Sequence, residues 1–156
     1  MSKILKTYTF TGFGFNVLLK NVPVKDAHGE TYPDINMNEL KLMTAKALLK
    51  RPVRMVGFQI KFLRTFMRLS FDAVSEKIGV PASTLRLWET KGAEVTGLSL
   101  EQEKAFRIYV VNTILENERN QFDKELILTK TFSEPKKDSE ILDVAANVDY
   151  SFVSHG

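Results

Sequence analysis

The stretch LRTFMRLSFDAVSEKIGVPASTLRLWETKG, residues 63–92, decides the expected fold because it contains the start and stop signals of two short helices. Ser70 is a typical N-cap for the first of these helices, and Gly79 ends it by allowing a left-handed turn. Pro81 suits the first turn of the second helix, which Gly92 stops. The sequence therefore predicts two short helices joined by three residues.

An amphipathic segment that begins at Gly57 predicts one more helix just before this pair. Three helices in this order match a helix-turn-helix over about residues 57–92, although an ordinary three-helix core fits the same pattern. Leu85 and Trp88 are expected to anchor the third helix, which leaves an outward side near its N-terminus, where a recognition helix meets base edges. The expected base contacts are Ala82, Ser83, Arg86 and Leu87.

The stretch 63–92 resembles the lambda-repressor/Cro (XRE-type) family. The matching positions are Leu69, Ser70, Val74, Ile78, Gly79, Val80, Ser83, Thr84, Leu85, Trp88 and Glu89. The resemblance implies sequence-specific DNA binding and a structural ion pair between Arg64 and Glu89. Phe71 departs from the pattern, because the family often has a glutamine there that touches the DNA backbone. Ala82 and Leu87 depart from it too, since the family's side chains at these positions are commonly polar.

A weaker resemblance takes in the N-terminal part of the chain. YTFTGFGFNVLLKN at 8–21, a connecting helix and GFQIKFLRTFMRLS at 57–70 look like MqsA-type (YgiT-like) antitoxins, which implies a toxin protein as a partner. Relatives of MqsA itself hold a zinc ion through cysteines in the N-terminal domain. This chain has no cysteine, and its two histidines have no suitable spacing to carboxylates, so we expect no metal and no cofactor.

Charge is unevenly distributed along the sequence. Residues 41–92 contain 11 basic and 3 acidic side chains, whereas residues 93–156 contain 7 basic and 12 acidic ones. A concentrated basic region is typical of a surface that docks on phosphates, although a solvated basic face has the same composition. The expected phosphate contacts are Lys61, Arg68, Lys77, Thr84 and Lys91.

The predicted fold class is mainly α with a small β-rich N-terminal unit and a helix-turn-helix bundle that binds DNA. Three parts are expected: a β-rich unit at 1–35, a helical domain at 36–120 and an acidic C-terminal extension at 121–156. Strands are expected at 6–10, 16–25 and 30–32, with further candidates at 126–130 and 148–153. A capping box predicts a helix over 37–50.

A second capping box, at Ser99, predicts a long helix that reaches about Arg119. Apolar residues cover more than half of its circumference, so it must be buried either in the core or at a dimer interface. Glu101 and Glu103 are expected on its polar side, because negative charge suits a helix N-terminus.

Other features of the sequence exclude several classes of protein. No apolar run is long enough to cross a bilayer, the N-terminus has no secretory signal, and the absence of cysteine fits a reducing cytoplasm. Nothing resembles a nucleophile with its base, so an enzyme is not expected. The sequence predicts a cytoplasmic, homodimeric transcriptional regulator that binds double-stranded DNA, and an autoregulating antitoxin is one form of this prediction. The alternative is an antitoxin or adaptor that binds another protein, with DNA binding secondary or lost.

Overall fold

The computed structural model describes residues 4–51, 53–92, 94, 96–115 and 146–149. Within these residues the architecture is mixed α/β, with five α-helices and a small sheet. The helices are α1 (Met37–Lys50), α2 (Gly57–Met67), α3 (Phe71–Ile78), α4 (Ala82–Thr90) and α5 (Leu100–Val110). The strands are β1 (Ile4–Phe10), β2 (Val17–Ala27), β3 (Glu30–Pro33) and β4 (Ala146–Asp149).

The sheet is built around β2. Strands β1 and β3 pair with β2 in antiparallel fashion, and β4 runs parallel to its first half. His28 and Gly29 form the two-residue turn between β2 and β3, with φ values of 54° and 79°. Positive φ at both central residues suits the right-handed twist of a tight hairpin. The three expected N-terminal strands are therefore present, whereas the candidate at 126–130 lies outside the described residues.

The helix bounds follow local capping signals. Asn36 accepts a hydrogen bond from the Glu39 amide at the start of α1, and α1 and α3 have the predicted bounds. The long helix expected to reach Arg119 is α-helical only to Val110 and continues as a π-helical turn over 111–115. Residues 116–119 lie outside the described residues. No helix in the described ranges is long and apolar enough to span a membrane.

The sheet and the helices share one hydrophobic core. Strand β2 contributes Val17 and Leu19, which are fully buried, and α5 contributes Phe106 and Val110. Helix α5 therefore buries its apolar side within its own chain. Burial of this kind supplies most of the stability of an amphipathic helix, because propensity alone is insufficient at this length.

A buried ion network joins α5 to the end of α1, and here the expectation for Glu103 is wrong. Glu103 is fully buried rather than part of a polar surface. Its Oε1 accepts hydrogen bonds from Arg54 Nε at 3.1 Å and from the Met55 amide at 2.9 Å. Its Oε2 accepts from Arg107 Nε at 3.1 Å. Arg107 lies one turn further along α5, whereas Arg54 and Met55 belong to a segment about 50 residues earlier, which the capping pattern could not reveal.

Arg107 is also fully buried, and it caps the carbonyl end of α1. Its Nη1 donates to the carbonyl oxygens of Leu48, Leu49 and Arg51, and its Nη2 donates to that of Val53 at 2.6 Å. Burial lowers the pKa of the Arg107 guanidinium, and the neighbouring carboxylate of Glu103 opposes this shift. The network fixes the segment that leads into α2, and α2 in turn positions α4.

Candidate nucleic-acid interface

Helix α4 has an anchored side and an exposed side. Leu85 and Trp88 are 1% and 3% exposed and hold the helix against the core. Ser83, Arg86 and Leu87 are exposed, and the exposed fraction of Leu87 reaches 55%. Of the other expected DNA contacts on this helix, Ala82 and Thr84 are half-buried. Three of the four expected base contacts, Ser83, Arg86 and Leu87, are thus on the part of α4 that solvent reaches.

The turn between α3 and α4 depends on Gly79. This residue has a φ of 71° and its amide donates to the Ser75 carbonyl at 2.9 Å, which ends α3. Val80 is buried, and the Pro81 carbonyl accepts the first helical hydrogen bond of α4 from Leu85 at 3.1 Å. A left-handed residue without a Cβ allows this sharp change of direction at low energetic cost.

The N-terminus of α2 meets the C-terminal end of α4 at very close range. The Phe58 amide donates to the Gly92 carbonyl at 2.9 Å, and the Gly57 amide donates to the Glu94 carbonyl at 3.2 Å. A Cβ on Gly57 would lie 2.5 Å from the Trp88 carbonyl oxygen, so only glycine permits this approach. The first amides of a helix have no partner within the helix, and here the carbonyl groups just after α4 accept hydrogen bonds from the first amides of α2.

Arg64 and Glu89 form the ion pair that the XRE-type resemblance implies. Arg64 Nε lies 2.5 Å from Glu89 Oε2, and Arg64 Nη2 lies 3.1 Å from Glu89 Oε1. Arg64 Nη1 also donates to the Leu69 carbonyl at 2.9 Å. One guanidinium therefore ties together α2, α4 and the segment that enters α3. The pair is partly buried, and its two-point geometry fixes direction as well as distance.

Two guanidinium groups contact the ring of Phe71, a relation that the sequence did not predict. The ring centroid is 4.1 Å from Arg64 Cζ and 5.0 Å from Arg86 Cζ, both within the range of a cation–π contact. Phe71 opens α3 and Arg86 lies on α4. The residue that departs from the family pattern therefore supports the arginine expected to contact a base. In the sequence, the only indication of this contact is the presence of an aromatic residue at the start of a helix.

The expected phosphate contacts are spread around the helices rather than gathered at one point. Arg68 is exposed at the C-cap of α2 with a φ of 57°, Lys77 is in the last turn of α3, and Lys91 follows α4. Lys61 lies on α2, beside a cleft described below. Among the described residues, none of these four has an ion-pair partner.

Acidic side chains restrict the direction from which DNA could approach. Asp72 and Glu76 are exposed, and they lie one turn apart on the same face of α3. A phosphate next to that face would be repelled. No group of three or more histidine, aspartate or glutamate side chains with metal-binding geometry occurs in the described part of the chain.

Comparisons with protein-family models, with curated proteins and with solved structures found no match to this chain.

Proposed function

We propose that this protein is a sequence-specific DNA-binding regulator in which α3 and α4 act as a helix-turn-helix. The observation that carries the proposal is the position of α4. Leu85, Trp88 and the Arg64–Glu89 pair hold one side of this helix, while Ser83 and Arg86 remain exposed near its start. A recognition helix needs this combination, because it must be rigid and still present side chains to base edges.

In this proposal each exposed side chain of α4 has a role that follows from its chemistry. The guanidinium of Arg86 can donate two hydrogen bonds to a guanine, and the Ser83 hydroxyl can bind several bases. Ala82 and Leu87 can contact thymine methyl groups. Arg68, Lys77, Lys91, Thr84 and Lys61 would contact phosphates, which positions the protein without reading sequence. The pair Arg64–Glu89 is structural.

We further propose that the protein acts in the cytoplasm as a homodimer. Two copies of α4 would enter successive major grooves about 34 Å apart, so the preferred site should be palindromic. Sedimentation of the protein with and without DNA tests this arrangement. A single copy bound to its preferred site at saturation would contradict it.

The first experiment is a comparison of two DNA duplexes by fluorescence anisotropy over a series of salt concentrations. One duplex comes from the region upstream of the protein's own gene, and the other has the same bases in scrambled order. A preference for the first duplex that persists near physiological salt supports base reading. Equal affinities that both fall steeply with salt would indicate phosphate contacts alone and would contradict sequence-specific recognition.

Arg86→Ala tests the assignment of the reading residue. Loss of a two-point contact with a base costs about 1–3 kcal/mol, so the affinity for the preferred duplex should fall by roughly 5- to 150-fold. Lys77→Ala should instead weaken binding to both duplexes and reduce the salt slope by about 1. Lys25→Ala is the matched control, because Lys25 is an exposed lysine on β2, away from α4. Unchanged affinity in Arg86→Ala would contradict the assignment.

A second candidate function is binding to another protein, such as a toxin, as in an antitoxin or adaptor. The observation that favours it is Leu87, a large apolar side chain that is 55% exposed on the outward side of α4. Leu87→Asp separates the two functions when the product of a neighbouring gene is co-expressed. Loss of a stoichiometric complex with retained DNA affinity would support this second function, and loss of DNA affinity alone would contradict it.

A further inference from the structure

A cleft of about 410 Å³ lies between the β1–β2 loop and the first two helices. The loop contributes Gly12, Phe13 and Gly14, α1 contributes Lys41, and α2 contributes the remaining lining residues. Those residues are Phe58, Lys61, Phe62, Thr65 and Phe66. They follow the spacing of one face of a helix, so α2 presents a continuous wall to the cleft.

The aromatic walls are held in place by contacts between rings. The Phe13 ring lies 4.8 Å from Phe10 and 4.7 Å from Phe62, measured between centroids. Phe62 and Phe66 are nearly parallel, with centroids 6.2 Å apart. Gly14 has a φ of 92°, a conformation that lets the loop turn back towards α2. The cleft is therefore formed without a ligand, which reduces the entropy lost on binding.

The charged groups of the cleft are both positive. Lys41 and Lys61 stand on two different walls, both are exposed, and no carboxylate belongs to the lining. Within the described residues neither lysine forms an ion pair. Thr65 adds one hydroxyl group. A cleft lined by two ammonium groups and several aromatic rings attracts an anion whose remaining atoms are apolar.

We propose that this cleft binds a small organic anion with a flat apolar body, of the class of aromatic carboxylates. Its volume falls within the range of about 300–1,000 Å³ that is usual for small-molecule sites. The composition also fits such a ligand, because aromatic side chains dominate and a few polar groups fix the orientation. None of the lining residues belongs to α4, and the ligand does not depend on the DNA-binding proposal.

The test is calorimetric titration of the full chain with 2-naphthoate, and separately with the neutral alcohol 2-naphthalenemethanol. We expect one saturable site for naphthoate and weaker binding of the alcohol, since only the anion interacts with the lysines. Lys41→Gln and Lys61→Gln should each weaken naphthoate binding by roughly 3- to 10-fold. They should leave the affinity for the alcohol nearly unchanged.

Lys25→Gln is the control for the loss of one positive charge, because Lys25 is an exposed lysine of β2 that does not line the cleft. Thr65→Tyr fills the cleft from an exposed position of α2 and should abolish binding of both compounds. Thermal unfolding of each variant verifies that the fold is retained. Absence of saturable naphthoate binding, or equal affinity for the two compounds, would overturn the proposal. So would an effect of Lys25→Gln as large as that of Lys41→Gln.

Lys41→Gln also separates this proposal from the DNA-binding one. Lys41 is not among the expected DNA contacts, whereas Lys61 belongs to both sets. Loss of naphthoate binding in Lys41→Gln with unchanged DNA affinity supports a separate small-molecule site. Failure of the parent protein to bind DNA would leave the naphthoate titration fully interpretable.

Discussion

Replacement of Arg107 by methionine is expected to be strongly destabilising. The guanidinium is fully buried, and it pairs with Glu103 at 2.9 Å between Nη2 and Oε2. Methionine replaces the unbranched stem of arginine as far as the position of Nε, so the loss of the guanidinium's polar contacts dominates over the loss of packing. The carboxylate of Glu103 would keep only Arg54 and the Met55 amide as hydrogen-bond donors.

The expected loss of unfolding free energy depends on which polar groups stay buried after Arg107 is replaced. Breaking a buried ion pair by removing one partner costs about 3–5 kcal/mol, and because Arg54 remains beside the Glu103 carboxylate, the loss should fall near the lower end of this range. The carbonyl groups of Leu48, Leu49, Arg51 and Val53 also lose donors at the end of α1. A typical domain has a free energy of unfolding of about 5–15 kcal/mol, so Arg107→Met should lose a large part of it.

Urea unfolding followed by the fluorescence of Trp88 measures the effect, since Trp88 is the only tryptophan and lies in the core. Glu103→Gln combined with Arg107→Met should be less destabilised than the sum of the single variants, because the two side chains are direct partners and the double variant loses their shared contact only once. Lys77→Met, at an exposed helical position, should stay within about 0.5 kcal/mol of the parent. A loss of less than about 1 kcal/mol in Arg107→Met would refute the reasoning.

Three further predictions concern the packing of α2, the support of Arg86 and a pH effect. Gly57→Ala should lower the free energy of unfolding by about 1–3 kcal/mol, because the added Cβ would meet the backbone of α4. Thermal unfolding measures the loss, and a variant more stable than the parent would contradict the prediction. Phe71→Leu should weaken DNA binding by roughly 2- to 5-fold, because it removes a cation–π contact that orients Arg86. Anisotropy titration measures the affinity, and an unchanged affinity would contradict the prediction. The pKa of Tyr32 is raised, chiefly by its hydrogen bond of 2.6 Å to Glu30. The Tyr32–Glu30 hydrogen bond should therefore stabilise the folded state at neutral pH. This stabilisation should be lost as the pH rises through the raised pKa of Tyr32. Ultraviolet titration of Glu30→Gln should show an earlier ionisation than the parent, and an identical curve would argue against this cause.

The sequence by itself determined the local structure of the central helices. Ser70, Gly79 and Ser99 act on backbone groups within three or four residues, so their effect is visible in a short window of sequence. The alternation of apolar residues likewise predicted the three N-terminal strands. The contact between Arg64 and Glu89 was accessible only through the family resemblance, because no local rule pairs residues that belong to two different helices.

Only the tertiary structure decided which distant groups meet. Glu103 has the local context of a solvent-exposed residue at a helix start, yet it is buried between Arg107, one turn further along α5, and Arg54 and Met55, which come from a distant segment. The contact of Phe71 with Arg86 and the aromatic cleft likewise depend on how separate elements pack. Periodicity and capping describe one element at a time, whereas the partners of a buried charge or an aromatic ring are chosen by the packing of the whole chain.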